Sequence, residues 1–277
     1  MDNPGSGVVI FDTNTFRHLT DATTRQNLLD AIRNSGRVPI ITEINLLEVA
    51  PTTGSIGAEL RGVVEAVESV AGGTMPWTYR VMKQAGEEFL QGRLNFSVPL
   101  ISLDISTDLP DFGTDSAKAL AFAKELNAES LRVQQVARPR VQRTLRDMDA
   151  RSRWPTLPDF LRDFWEPQEL GEQFADQAWA NLQLPGPRPK DLLTRSLTFR
   201  MLSDIDAVET YQGAIAFQQP RRVQRMDLLQ LPYLTCRPNS ILVTDDGPFA
   251  TAAHEVIDGR YPGLKVISTT DLHVFSA

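Results

Sequence analysis

The sequence predicts an α/β fold: a mostly parallel central sheet flanked by helices, with a large all-helical insertion. Short, continuously apolar runs stand near both ends of the chain, and each is followed by helix-capping residues. Runs of that kind suit strands buried on both faces, as in parallel sheets covered by helices. Between the ends, residues 56–219 carry apolar positions at helical spacing, punctuated by glycines and prolines.

Val8-Val9-Ile10-Phe11 is the first expected strand. It stops at Asp12-Thr13-Asn14-Thr15, a capping cluster from which a helix is expected to run to about Ile32. Val38-Pro39-Ile40-Ile41 reads as the second strand, with Thr42 capping a helix that Pro51 ends. In the middle, Ile56, Leu60, Val63, Val64, Val67 and Val70 recur at helical spacing. Further helices are expected at about 78–94, 115–135, 140–149, 158–183 and 190–218. Near the other end, Ser240-Ile241-Leu242-Val243-Thr244 reads as a strand and Asp245-Asp246-Gly247 as a turn. Pro248 then opens a helix to about Ile257, and Leu264–Ser268 makes the last strand. Residues 1–55 and 220–277 are thus expected to form one α/β unit, and 56–219 a helical insertion that partly completes its core.

At 277 residues and 42% hydrophobic, the chain can bury a sizeable core. It has no apolar run long enough to cross a membrane, and Met1–Gly7 has no signal-like apolar core, so a cytoplasmic protein is expected. Cys236 is the lone cysteine, which leaves neither an internal disulfide nor a cysteine-based zinc site. The formal net charge of −7 argues against a broad nucleic-acid-binding surface. Charge is unevenly placed, however: seven arginines face two aspartates between Arg132 and Arg153. A basic stripe on an acidic body can still hold a phosphate backbone locally.

Four acids stand where a parallel sheet presents ligands, at or beyond the carboxyl ends of its strands. Asp12 follows the first strand, and Asp246 lies two residues past Thr244. Glu48 is in the helix after the second strand, and Asp227 is in the helix leading to the Ser240 strand. Each also has a plain structural reading. Asp12 and Asp246 suit helix caps, Glu48 a partly exposed helix position, and Asp227 an ion pair with Arg222 or Arg225. Taken as a set, gathered carboxylates repel unless a cation joins them. Mg²⁺ or Mn²⁺ prefers such oxygen ligands, and a cation held there suits phosphodiester hydrolysis by water. His18, His254 and His273 are scattered and offer no competing metal pattern.

Four segments resemble the PIN-domain nuclease family: Val9-Ile10-Phe11-Asp12-Thr13-Asn14, Thr42-Glu43-Ile44-Asn45-Leu46-Leu47-Glu48, Asp227–Leu234, and Leu242-Val243-Thr244-Asp245-Asp246-Gly247-Pro248-Phe249. They cover roughly 100 residues in the two terminal portions. The resemblance implies a PIN-like fold and a Mg²⁺- or Mn²⁺-dependent endonuclease, usually an endoribonuclease, that leaves a 5′-phosphate. Asp12, Glu48, Asp227 and Asp246 would hold the metal as the catalytic set, with Asn14 and Thr244 in support. Asp245 is the alternative to Asp246. Glu48 and Asp227 are 179 positions apart, farther than in a compact member, which leaves Asp204 and Asp206 as rivals to Asp227.

Arg140, Arg143 and Arg146 recur every third position and so share one helix face, while Val141, Leu145 and Met148 occupy another. With Arg222 and Arg225 they are candidates for contacting RNA, and a solvated basic face is the plain alternative. Trp154, Phe160, Trp165 and Trp179 suit core positions better than base stacking. The insertion would shape substrate access or bind a protein partner. Two other classes are a non-catalytic scaffold of the same fold and a structure-specific DNA nuclease. A phosphatase with an aspartyl intermediate fits less well, because Asn14 stands where a second Asp would be expected.

Overall fold

Val8-Val9-Ile10-Phe11 forms the central strand of a parallel sheet in the computed structural model of the chain, and all four side chains are buried. The structure describes residues 7–15, 19, 21–42, 45, 74–75, 78–93, 143–215, 225–271 and 274–275. This strand, β1 (Val8–Phe11), lies between β2 (Val38–Thr42) and β4 (Ile241–Val243). The sheet continues through β5 (Lys265–Ile267) on one side and the two-residue β3 (Thr74–Met75) on the other. Its order is β3-β2-β1-β4-β5, with every pairing parallel. Succession therefore reverses between β1 and β4, where Val9 pairs with Ile241 and Phe11 with Val243. In such a sheet the crevice at the carboxyl ends of the two strands flanking the reversal is the natural ligand position.

Gly7 feeds β1 past the turn that precedes β4. A Cβ there would lie 2.3 Å from the backbone oxygen of Asn239, so only glycine allows the approach. The helix after β1 departs from the expected continuous run to Ile32. Leu19 N–H donates to the Thr15 carbonyl at 3.1 Å, and a separate helix α1 (Ala22–Asn34) begins under Asp21, whose carboxylate accepts from Thr24 N–H at 2.7 Å. Asp21 is a better cap than the cluster upstream because the side chains of Asp12 and Thr15 are engaged with β4.

The middle of the chain is not wholly helical, since it supplies β3 beside β2. The expected helix at 78–94 is α2 (Thr78–Leu90). The one expected at 115–135 and the whole of the 56–70 pattern lie outside the described residues, as does the helix expected from Thr42 to Pro51 apart from Thr42 and Asn45. The run expected at 158–183 is divided into Leu157–Phe160, a π-helical turn Leu161–Trp165, and α3 (Leu170–Asn181). Leu192–Arg195 precedes the long α4 (Leu197–Ile215), which packs on α3, α5 (Leu231–Leu234) and α6 (Gly247–Ile257). Buried residues occur all round α4, among them Phe199, Met201, Ile205, Val208 and Tyr211, as expected of a helix enclosed by others.

One apolar cluster joins the sheet residues Val8, Ile10 and Leu242 to Trp154, Phe160, Trp165 and Trp179 from the helices. Phe160 stacks on Tyr211 with ring centroids 5.1 Å apart, and Trp165 stacks on Phe174 at 5.2 Å. The tryptophans are thus core, with Trp165 Nε1–H donating to Ser203 and Trp179 Nε1–H to the Gly186 carbonyl. Among the described residues, no helix is long and apolar enough to cross a membrane.

Candidate active site

Asp12 is placed by backbone bonds before its side chain is considered. Its N–H donates to the Val243 carbonyl at 2.9 Å, which extends the β1–β4 pairing one residue past the strand. Its carbonyl accepts from Thr15 N–H at 2.9 Å, and the Thr15 hydroxyl donates to Val243 O at 3.0 Å. Asp12 therefore starts the following turn through its backbone, and its carboxylate does not cap the turn. Asp12 is 1% exposed, and its carboxylate faces the end of β4.

Thr244, one residue past β4, donates its hydroxyl to Asp12 Oδ2 at 2.9 Å. Thr244 Oγ1 in turn accepts from Asp246 N–H at 3.1 Å, so the hydroxyl proton is directed to Asp12. Gln230 Nε2 reaches Asp12 Oδ1 at 3.5 Å, the long limit of a hydrogen bond. Burial raises the Asp12 pKa above its ordinary value; the bonds from Thr244 and Gln230 oppose the rise, and the charge of Asp246 adds to it. No Lys or Arg among the described residues pairs with this carboxylate.

Asp246 is the N-cap of α6, its Oδ1 accepting from Phe249 N–H at 2.9 Å, with Pro248 in the first turn. Its Oδ2 takes no hydrogen bond among the described residues, so capping and ligation are compatible in one side chain. Asp245 is turned to a different task. Its Oδ1 accepts from the backbone N–H and hydroxyl of Thr269 at 3.0 and 3.2 Å, tying the end of β4 to the loop after β5. Asn14 is half-buried beside Asp12 in the chain, and its side chain makes no hydrogen bond among the described residues.

Asp227 is half-buried on the turn Arg225–Leu228, and its carbonyl accepts from Gln230 N–H at 3.1 Å. Glu48 lies outside the described residues, as do Arg140 and Arg222. Arg225 begins the Asp227 turn, while Arg143 and Arg146 are exposed on either side of buried Leu145. Met148, expected on the face with Leu145, is 36% exposed. Asp204 is committed elsewhere: Arg260 grips it with two bonds at 3.0 and 3.1 Å, and the Tyr261 hydroxyl donates to it at 2.7 Å. Asp206 is buried on the same helix, α4. Among the described residues, no three of His, Cys, Asp or Glu form a group able to hold a metal. The structure thus brings Asp12 and Asp246 together, and neither Asp227, Asp204 nor Asp206 joins them as a third carboxylate.

No protein-family model, curated protein or solved structure matches the chain.

Two residues at the site, Asn45 and Gln230, had no expected role. Asn45 Nδ2 donates to Phe11 O at 2.8 Å and to the Thr13 hydroxyl at 3.1 Å, while its Oδ1 accepts from Thr42 N–H and hydroxyl. It fastens the end of β2 to the end of β1 just before Asp12. The spacing Thr42-x-x-Asn45 is the one local signal for it. Gln230 had no signal beyond standing three residues after Asp227.

The donors at this crevice suit a hard divalent cation. Asp12 and Asp246 supply two carboxylates, and beside them Gln230 Oε1 is buried with no hydrogen-bond partner among the described residues. Mg²⁺ commonly takes one or two carboxylates and retains several waters. Cys236 is no rival nucleophile, because it is buried and burial pushes its thiol up to about 12.

Proposed function

We propose that the chain is a metal-dependent endonuclease acting on RNA, cleaving phosphodiester bonds with water to leave a 5′-phosphate. The observation that carries this reading is Asp12: a buried carboxylate at the carboxyl end of the central strand, beside Asp246, with no paired cation among the described residues. Leaving such a charge uncompensated is costly, and a divalent cation compensates it. In this reading Asp12 and Asp246 hold Mg²⁺ or Mn²⁺, with Glu48 and Asp227 completing the set when substrate and metal are bound. The cation supplies Lewis acidity toward water and phosphate. Thr244 orients Asp12, and Asp246 anchors the start of α6 so that its second oxygen keeps its place. Asn14 is a supporting polar group, and Arg140, Arg143, Arg146, Arg222 and Arg225 contact the RNA backbone. A PIN-like fold with residues 56–219 as its insertion, and a cytoplasmic location, belong to the same reading. The parallel sheet with Asp12 and Asp246 at one edge supports it.

The test is cleavage of labelled single-stranded RNA and DNA by the full chain with Mn²⁺, Mg²⁺ or EDTA, beside Asp12→Asn and Asp246→Asn. Metal-dependent cutting of RNA, lost in both variants, is the expected result. Preference for DNA would transfer the same chemistry to a DNA nuclease. Equal, metal-independent inactivity of all three proteins would leave a non-catalytic scaffold in its place.

A further inference from the structure

Gln230 lies between the helical turns Arg225–Leu228 and Leu231–Leu234 and is fully buried. Its side-chain Nε2 is 3.5 Å from Asp12 Oδ1, and its Oε1 is buried with no hydrogen-bond partner among the described residues. Folded proteins pair almost every acceptor so placed, often with a water. Turning the amide over would not help, because Oε1 would then oppose a carboxylate oxygen. The unmet acceptor is therefore the counterpart of the amide's service to Asp12.

We propose that Gln230 is a positioning residue of the Asp12 site, donating through Nε2 to the carboxylate and accepting through Oε1 from a water in the shell of a divalent cation held there. The inference rests on the metal-dependent reading above. A hard cation bound by one or two carboxylates keeps waters, and a water polarised by the cation is a strong donor. A neutral amide suits this place because it donates on one side and accepts on the other. It also adds no third negative charge to Asp12 and Asp246.

Mn²⁺ binding to the full chain tests it, followed by the electron paramagnetic resonance of unbound Mn²⁺ in wild type, Gln230→Met, Gln230→Glu and Asp12→Asn. Thermal midpoints with and without Mn²⁺ accompany the titrations. Wild type is expected to bind and Asp12→Asn to lose binding. Gln230→Met, which fills the space without a donor or a carbonyl oxygen, should weaken binding by about tenfold or more, the usual effect of losing an outer-shell partner of a metal. A residue that only fills the core would alter the metal-free midpoint and leave Mn²⁺ affinity alone, and that result overturns the proposal. Should Gln230→Met fail to fold, Gln230→Glu decides: its added carboxylate should enlarge the Mn²⁺-dependent rise in midpoint, and a rise no larger than that of wild type overturns the proposal. Wild type that binds no Mn²⁺, or Asp12→Asn that still binds it, removes this inference together with the metal-dependent reading. Binding that depends on Gln230, in a protein that cuts neither RNA nor DNA, supports the inference and removes the nuclease reading alone.

Discussion

Asp12 is buried, and two donors only partly offset its carboxylate's loss of hydration. The consequence for stability follows from the direction of its pKa. Because burial raises that pKa above its ordinary 3.8, the folded state takes up the proton more readily than the unfolded chain. Stability from this group is therefore greatest in acid and is lost as pH rises from 3.8 through the raised folded value. Asp12→Asn cannot ionise and escapes that loss. In metal-free buffer at pH 7 its thermal midpoint should exceed that of wild type. The gain should vanish toward pH 3. A midpoint at or below wild type at pH 7 would show that Thr244 and Gln230 fully satisfy the ionised carboxylate.

Helix α4 and the segment after α6 are joined by a second buried acid, whose pKa burial also raises but which, unlike Asp12, has a cation bonded to it. Asp204 on α4 is held by Arg260 and Tyr261 from the segment that follows α6, and Arg260 also reaches Glu166 at 3.1 Å beside the π-helical turn. Replacing Arg260 with Leu removes the cation bonded to Asp204, leaves only the weaker influence of Arg200, and should cost about 3 kcal/mol in urea unfolding, the low end for breaking a buried pair because Arg260 is partly exposed. Adding Asp204→Leu should recover a good part of that loss. A double variant as weak as the single one would mean that the pair's packing, and not its charge, holds the helices together. The same contrast explains what could be read in advance. Apolar runs such as Val8–Phe11 and Ile241–Val243 announce strands because burial on both faces demands them. Thr74–Met75 is too short to show such a run, and the Asp21 cap was hidden behind the stronger-looking cluster at Asp12. That Asp12, Thr244 and Asp246 stand together was legible because all three follow strands expected to be neighbours in a parallel sheet. Asn45 and Gln230 were not, since an amide's role depends on which distant chain segment it meets.

Across the molecule, an excess of negative charge has to coexist with binding to a polyanion if the RNA reading holds. The local excess of arginines between Arg132 and Arg153 is the feature that would permit it. Reversing Arg140 and Arg143 to Glu should weaken RNA binding and flatten its dependence on salt by about 1.4 in log–log slope, from two phosphate contacts at roughly 0.7 each. A slope equal to that of wild type would assign these arginines to a solvated face. The reversal of strand order at β1 and β4 carries a further consequence during synthesis on the ribosome. Val9 pairs with Ile241, so this wholly apolar strand must wait for more than 200 further residues before its second neighbour exists. At about 5–20 residues per second, that delay is on the order of 10–50 s. Throughout it, β1 offers β2 on one side and an unpaired edge on the other, the configuration that invites pairing with another chain. The crevice that gathers Asp12 and Thr244 therefore comes into being only as the last strands leave the exit tunnel, and a nascent chain stalled before β4 carries an aggregation hazard and half a site.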